Sequence, residues 1–167
     1  MTSWREALAT ATTFAEIQAV VRRTARTLAQ SDGATFVLRD GDKCFYCDED
    51  AIAPLWKGQR FPVTHCISGW SMIHQLPAVI PNIMVDERIP LDAYLPTFVR
   101  SLAMVPIRED DPVGAIGAYW ADQHAATPDE VAALRDLAAE AAVAIDRVGL
   151  EHAPWAPSFS APEDASV

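Results

Sequence analysis

Three thiols and one neighbouring imidazole are the side chains here with the widest chemical range: Cys44, Cys47, Cys66 and His65. Cys44-Phe45-Tyr46-Cys47 has the spacing of a metal or redox pair, but the surrounding residues read as a strand. On a strand, residues three apart point to opposite faces, so Cys44 and Cys47 do not converge without a bulge. A structural zinc site also needs paired ligands at two tight turns, and only one such end is present. These two thiols are therefore expected to be small buried hydrophobes. Cys66 differs, because it stands just ahead of a helix start at Ile67-Ser68-Gly69-Trp70. A helix N-terminus lowers a thiol pKa, which makes Cys66 a candidate redox-sensing thiol. His65 and His74 are the candidates by position for an axial haem ligand, but a lone histidine near an apolar segment is more often a packed or surface residue, so haem is disfavoured and the cofactor is left unassigned.

Other reactive arrangements are missing. Ser68-Gly69 is not a nucleophile elbow, and neither a phosphate loop nor a dinucleotide fingerprint occurs. The acidic runs Asp48-Glu49-Asp50 and Asp110-Asp111 are expected in turns as solvated charge. Asp86 and Arg88 make a local pair, either a polar rim that orients a ligand or a turn salt bridge of small value. Arg100, at a helix end, is placed to meet an anionic ligand or to cap that helix. Trp56, Phe61, Trp70, Tyr94, Phe98 and Trp120 are dense for their stretch and would line a cavity over a sheet, with Tyr94 offering a hydroxyl.

The elements that would position these residues follow from pattern. Ser3 with Glu6 and Thr13 with Glu16 are capping boxes, the second followed by Phe14, Ile17, Val20, Val21, Thr24 and Leu28 at helical spacing. That helix is expected to stop at Ser31-Asp32-Gly33, where glycine tolerates a left-handed end. Residues 34–39 and 43–47 form strands around the turn Asp40-Gly41-Asp42. A helical turn is expected around Pro54-Leu55-Trp56, and residues 61–63 are extended. Residues 68–75 suit a short helix packing Trp70 and Ile73 inward. A strand over 78–83 and a helix over 91–100, interrupted at Pro96, precede two apolar strands at 102–108 and 113–120. Thr127-Pro128-Asp129-Glu130 starts the clearest helix, and Val131, Leu134, Leu137, Ala138, Ala141, Ile145 and Val148 form its apolar stripe.

The size of the chain suits one domain with a full core. Twenty-three acidic residues oppose 13 basic ones, for a formal charge of −10. That surface repels phosphate backbones and anionic lipid, which argues against nucleic-acid or membrane partners. No run approaches the length of a membrane span, and the first residues lack the pattern of a secretion signal, so the expected location is the cytoplasm. An odd number of cysteines fits reduced thiols. Residues 1–150 are expected to form the domain, and the proline-bearing residues 151–167 a disordered tail or linker.

The order Ile67-Ser68-Gly69-Trp70, Ala78-Val79-Ile80-Pro81-Asn82-Ile83, Asp86-Glu87-Arg88-Ile89, Ser101-Leu102-Ala103-Met104-Val105-Pro106-Ile107 and Val113-Gly114-Ala115-Ile116-Gly117 resembles the GAF domain, over residues 13–148. Within that family it looks most like the input domains of bacterial sensor histidine kinases, in two-component signal transduction. The resemblance implies an α+β fold: a central antiparallel sheet of five or six strands, first and last helices on one face, and short helices and loops forming a pocket on the other. It implies a non-enzymatic, ligand-binding signalling domain with an unidentified small molecule, a homodimer through residues 13–28 and 131–148, and a downstream signalling domain or kinase. With no room for a catalytic domain after Val148, the expectation is a free-standing sensor or an excised input module. The implied ligand-binding set is Trp56, Phe61, Cys66, Trp70, Arg88, Tyr94, Phe98 and Met104. Covalent bilin is disfavoured, because residues 91–100 lack both cysteine and histidine, and the cyclic-nucleotide signature of the family is missing. The alternatives are a thiol enzyme that reduces free methionine sulfoxide, although residues 82–101 lack the further cysteine such enzymes carry, and a purely structural dimerisation module.

Overall fold

A computed structural model describes residues 3–150; the expected tail lies outside them. All three capping boxes form, each with reciprocal side-chain and backbone hydrogen bonds. They start α1 (Trp4–Thr10), α2 (Phe14–Ala29) and α5 (Pro128–Val148). The end of α2 departs from expectation, since Gln30 and not Gly33 takes the left-handed cap, at φ 51°. Gly33 instead opens the first strand, where a Cβ would lie 2.8 Å from the Ala51 Cβ and 3.0 Å from the Phe98 ring.

Six strands, β1 (Gly33–Asp40), β2 (Lys43–Ala51), β3 (Arg60–Pro62), β4 (Ala78–Ile80), β5 (Ser101–Ile107) and β6 (Gly114–Trp120), form one sheet. Their order is β3-β2-β1-β6-β5-β4, and every pair is antiparallel. The expected strand over 78–83 is cut short because Pro81 cannot donate to a ladder, and a 3-10 turn follows at Ile83–Val85. Similarly, α4 (Leu91–Tyr94) is a single turn where a longer helix was expected, since Pro96 has no N–H for the Asp92 carbonyl. Residues 54–56 form no helical turn. A 3-10 turn at Val63–His65 leads into α3 (Ile67–His74).

Strand alternation divides the core into two layers. Behind the sheet, α2 and α5 pack side by side on Ala34, Phe36, Leu38, Ala103, Val105, Ile107, Ile116 and Ala118. Leu134, Leu137, Ala141 and Ile145 carry the α5 stripe, and each fully buried Leu or Ile contributes about 1.5–3 kcal/mol relative to exposure. Arg147 ties α5 to the end of α1 by donating to the carbonyls of Leu8 and Ala11, both at 2.8 Å. In front of the sheet, α3, α4 and their loops cover Val37, Cys44, Tyr46, Leu102, Met104, Ala115 and Tyr119. Among the described residues no helix is long and apolar enough to cross a membrane.

Candidate functional site

The front layer is built around a ring of aromatic side chains. Trp56 lies against Tyr46, Tyr94 and Tyr119, at centroid separations of 5.6, 4.7 and 5.4 Å, and Phe61 meets the edge of Tyr46 at 5.5 Å. Trp56 is the keystone, and two interactions hold it. Its indole N–H donates to the Ala93 carbonyl of α4 at 3.0 Å. Its loop is gathered by Glu49, whose carboxylate accepts the N–H groups of Leu55, Trp56 and Lys57 at 2.9–3.0 Å. The acidic run 48–50 is thus not the solvated turn expected from sequence: it ends β2, and every carboxylate is engaged. Asp48 is buried beside Arg22 at 3.1 Å and Lys57 at 3.2 Å, and Asp50 meets Arg26 at 2.8 Å.

Behind the ring, polar groups sit where only a glycine leaves room. Tyr119 and Thr35 share a hydrogen bond of 2.9 Å, and a Cβ on Gly117 would approach both hydroxyls and Met104 within 3 Å. Tyr46 bonds Ser68 at 3.0 Å, and Ser68 lies 3.4 Å from the Cys66 sulfur. The Cys44 thiol, on β2 in the same layer, interacts with that sulfur. A β-bulge at Cys47 interrupts the β1–β2 register, yet Cys47 still lies in the rear layer while Cys44 lies in front. The sequence spacing of Cys44 and Cys47 is therefore uninformative, and the pair that forms is Cys44 with Cys66.

These contacts set the electrostatics. The hydrogen bond from Cys44 is the main cause that lowers the Cys66 pKa, to about 7, against burial; Ser68 and the Gly69 amide add to it. Donation to Cys66, together with burial, holds Cys44 firmly protonated. Burial keeps Tyr46, Tyr94 and Tyr119 neutral well above the usual tyrosine range. The Tyr94 hydroxyl is buried and, alone among the buried tyrosine hydroxyls described, makes no hydrogen bond. Tyr94 borders a cavity of about 10 Å³ together with Tyr46, Trp56, Phe61, Cys66, Pro90 and Ala93, room for about one water molecule.

The expected hollow beneath a lid is therefore almost closed, because the rings that were to line it fill it. Four of the eight expected residues, Trp56, Phe61, Cys66 and Tyr94, meet around this cavity. Met104 is fully buried beneath, beside Gly117. Phe98 lies at the far end, over Gly33. Trp70 and Arg88 are displaced to the rim: the guanidinium lies 4.4 Å above the indole, His74 stacks on the same ring system at 4.5 Å, and Asp86 clamps Arg88 at 2.7 Å. Trp70 is only partly buried and Ile73 is 49% exposed, which corrects the expectation that both pack inward. His65 and His74 are exposed, so neither faces the cavity, and Arg100 caps its own turn by donating to the Val99 carbonyl at 2.7 Å. Sequence reasoning missed Tyr46, Ser68, Tyr119 and Glu49. The alternation of β2 ahead of its bulge places Tyr46 on the Cys44 side, which was the one available signal.

Two larger surface grooves lie elsewhere, of about 580 Å³ by Arg22, Asp50 and Lys57 and about 370 Å³ by Pro77, Arg108 and Ala142. The charges of the first already meet Asp48 and Arg26, so we centre the candidate site on the small front cavity with its unpaired hydroxyl.

A six-stranded antiparallel sheet with paired terminal helices behind and a short lid in front defines a class of small α+β modules. A family model described as the GAF domain matches residues 11–146, and the chain belongs to that family. The GAF domain of a phosphoenolpyruvate-protein phosphotransferase from Acinetobacter superposes with TM-score 0.73 at 12% identity, covering 88% of this chain and 96% of that one. Free methionine-R-sulfoxide reductase from Neisseria meningitidis, solved with its substrate, gives TM-score 0.69 at 18% identity, over 87% and 85% of the two chains. The PixJ GAF domain of Thermosynechococcus elongatus, in its blue-light absorbing form, gives 0.68 at 18%, over 79% and 84%. At these identities the likeness is one of fold. No curated protein matches the sequence.

Proposed function

We propose that this chain is a non-enzymatic sensory GAF domain that binds a small molecule between the sheet and the α4 lid, with Trp56, Tyr46, Phe61, Cys66 and Tyr94 as the contacting side chains. The observation that carries this reading is the unpaired Tyr94 hydroxyl beside the cavity. A buried hydroxyl without a partner costs roughly 1–3 kcal/mol, which a ligand acceptor would recover on binding. The cover over it is easily moved. It consists of a single helical turn and loops fixed by the Trp56–Ala93 hydrogen bond. A ligand that displaces the Trp56 ring would lift α4 and transmit the change through the sheet to α2 and α5. In this reading a second copy pairs along the outer flank of those helices, where Val143 is 62% exposed, and a downstream signalling partner receives the signal.

The test is a thermal-shift screen with small metabolites, alongside mass spectrometry and an absorption spectrum of the denatured extract. A compound that raises the melting temperature of the wild-type protein by several degrees, and by clearly less in Tyr94→Phe, is the expected result. An empty extract together with no shift from any compound would reject it. The lowered pKa of the Cys66 thiol, with a second thiol, Cys44, beside it, favours a second reading, thiol-dependent reduction of free methionine sulfoxide. Turnover with a thiol reductant, lost in Cys66→Ser, would move the assignment there.

A further inference from the structure

We propose that Cys44 and Cys66 form an oxidisable dithiol pair, in which Cys66 attacks a small hydroperoxide that enters through the front cavity and Cys44 resolves the product as an intrachain disulfide. This inference does not depend on the ligand-binding reading above.

The geometry is specific to these two of the three cysteines. Cys44 lies on β2, opposite Phe61 of β3, and β3 leads through one 3-10 turn to Cys66. That short excursion folds Cys66 back over β2 into the front layer that also holds Cys44, where the two thiols interact. Cys66 is also held from three other directions: its thiol, when protonated, donates to the Pro62 carbonyl at 3.4 Å, the Ser68 hydroxyl lies at 3.4 Å, and the first turn of α3 follows directly. Cys47 faces the opposite layer beside Asp48, where burial and that negative charge suppress its ionisation.

Each group has a defined place in the chemistry. At neutral pH Cys66 carries a substantial thiolate fraction, whereas Cys44 keeps its proton. The thiolate attacks one peroxide oxygen, the O–O bond breaks, and the departing oxygen takes up a proton, giving a sulfenic acid on Cys66 and one water or alcohol. The neutral, unpaired hydroxyl of Tyr94, a residue that lines the same cavity, would donate a hydrogen bond to that departing oxygen. The Cys44 sulfur then displaces hydroxide from the Cys66 sulfur. Its proton leaves with that oxygen as water, and an S–S bond remains. Two thiols lose two electrons in all, and the hydroperoxide gains them. A dithiol reductant reverses the step. The cavity of about 10 Å³ admits hydrogen peroxide far more readily than a hydroperoxide with an aromatic group. The resulting bond would tie β2 to the start of α3 under the Trp56 ring, and so couple redox state to the lid.

The test uses the full chain, reduced, freed of reductant and exposed to hydrogen peroxide, then alkylated and measured as intact and digested protein. The expected product has lost two hydrogens and yields one cross-linked peptide joining Cys44 to Cys66, with Cys47 still alkylated. Its rate should rise with pH through about 7 and be at least about tenfold slower with cumene hydroperoxide, since ionisation and access both limit thiol oxidation. Cys47→Ser should react like the wild type, and Cys44→Ser should accumulate a sulfenic acid that dimedone traps. Tyr94→Phe should slow the step while leaving the cross-link unchanged. The proposal is overturned if the cross-link contains Cys47, if Cys66 stays fully alkylatable under peroxide that oxidises free cysteine, or if methionine sulfoxide oxidises the pair and hydrogen peroxide does not.

Discussion

The two faces of the sheet solve burial in opposite ways. Behind it, two helices of 16 and 21 residues lay apolar stripes on apolar strand residues, and the one buried charge, Asp48, is paired with Arg22 of α2. In front, the longest covering element has 8 residues, and the layer beneath it contains three tyrosines, two thiols, a serine and a threonine. Hydrocarbon packing needs only complementary volume, so the rear can be sealed. The front must satisfy each polar atom individually, and the Tyr94 hydroxyl is left over. Chemical capability is therefore concentrated in front.

The largest expected effect tests whether the front is nonetheless rigid where α3 begins. A Cβ at Gly69 would collide with the Val63 carbonyl, a backbone atom that cannot rotate away. Gly69→Ala should cost on the order of 4 kcal/mol, measured by chemical denaturation. A loss below 1 kcal/mol would mean that the whole front layer floats.

On the rear face, Ile17→Ala removes a fully buried side chain from α2 and should cost roughly 3 kcal/mol, with peroxide reactivity of Cys66 unchanged. If the reactivity moves with stability, the two faces are one cooperative unit and the comparison fails.

Trp56→Ala should cost roughly 3 kcal/mol as well, but with a different consequence, because its ring fills the space that a ligand would take. Added indole should raise the melting temperature of this variant and leave that of Ile17→Ala alone. Equal rescue of both would remove the distinction.

Smaller effects separate the hydroxyls. Tyr119→Phe breaks the Thr35 bond and should cost about 1 kcal/mol, whereas Tyr94→Phe deletes an unpaired group and should be neutral or stabilising by up to about 1 kcal/mol. Matching losses in both would show that Tyr94 has a partner in solution.

The smallest effect concerns pH. Cys66 is more acidic folded than unfolded, with a pKa of about 7 against 9, so its contribution is fully present above pH 9 and lost as pH falls through 7. Wild-type stability relative to Cys66→Ser should thus rise between pH 7 and pH 9, as read from denaturation midpoints. A flat difference would place the thiolate outside the folded network.

Much of this was legible in the sequence, because helices and their ends are local. Thr127-Pro128-Asp129-Glu130 and the stripe through Ile145 specify α5 without reference to anything distant. The apolar runs of β5 and β6 announced their burial in the same way. The candidate site was only half legible. Trp56 and Tyr94 were identified as aromatic, but nothing near them shows that they pack on one another rather than around a hollow.

Sequence alone determined the GAF-type order of elements, the three capped helices and the opposed faces of Cys44 and Cys47, since each depends on neighbours within a turn or a strand. The tertiary structure decided that Gln30 and not Gly33 ends α2, that Glu49 gathers the Trp56 loop, and that Cys44 meets Cys66. Those outcomes depend on where β3 returns against β2 and where α4 lands on the sheet. Such contacts join residues distant along the chain, and no local periodicity encodes which of several buried side chains will fill the last space.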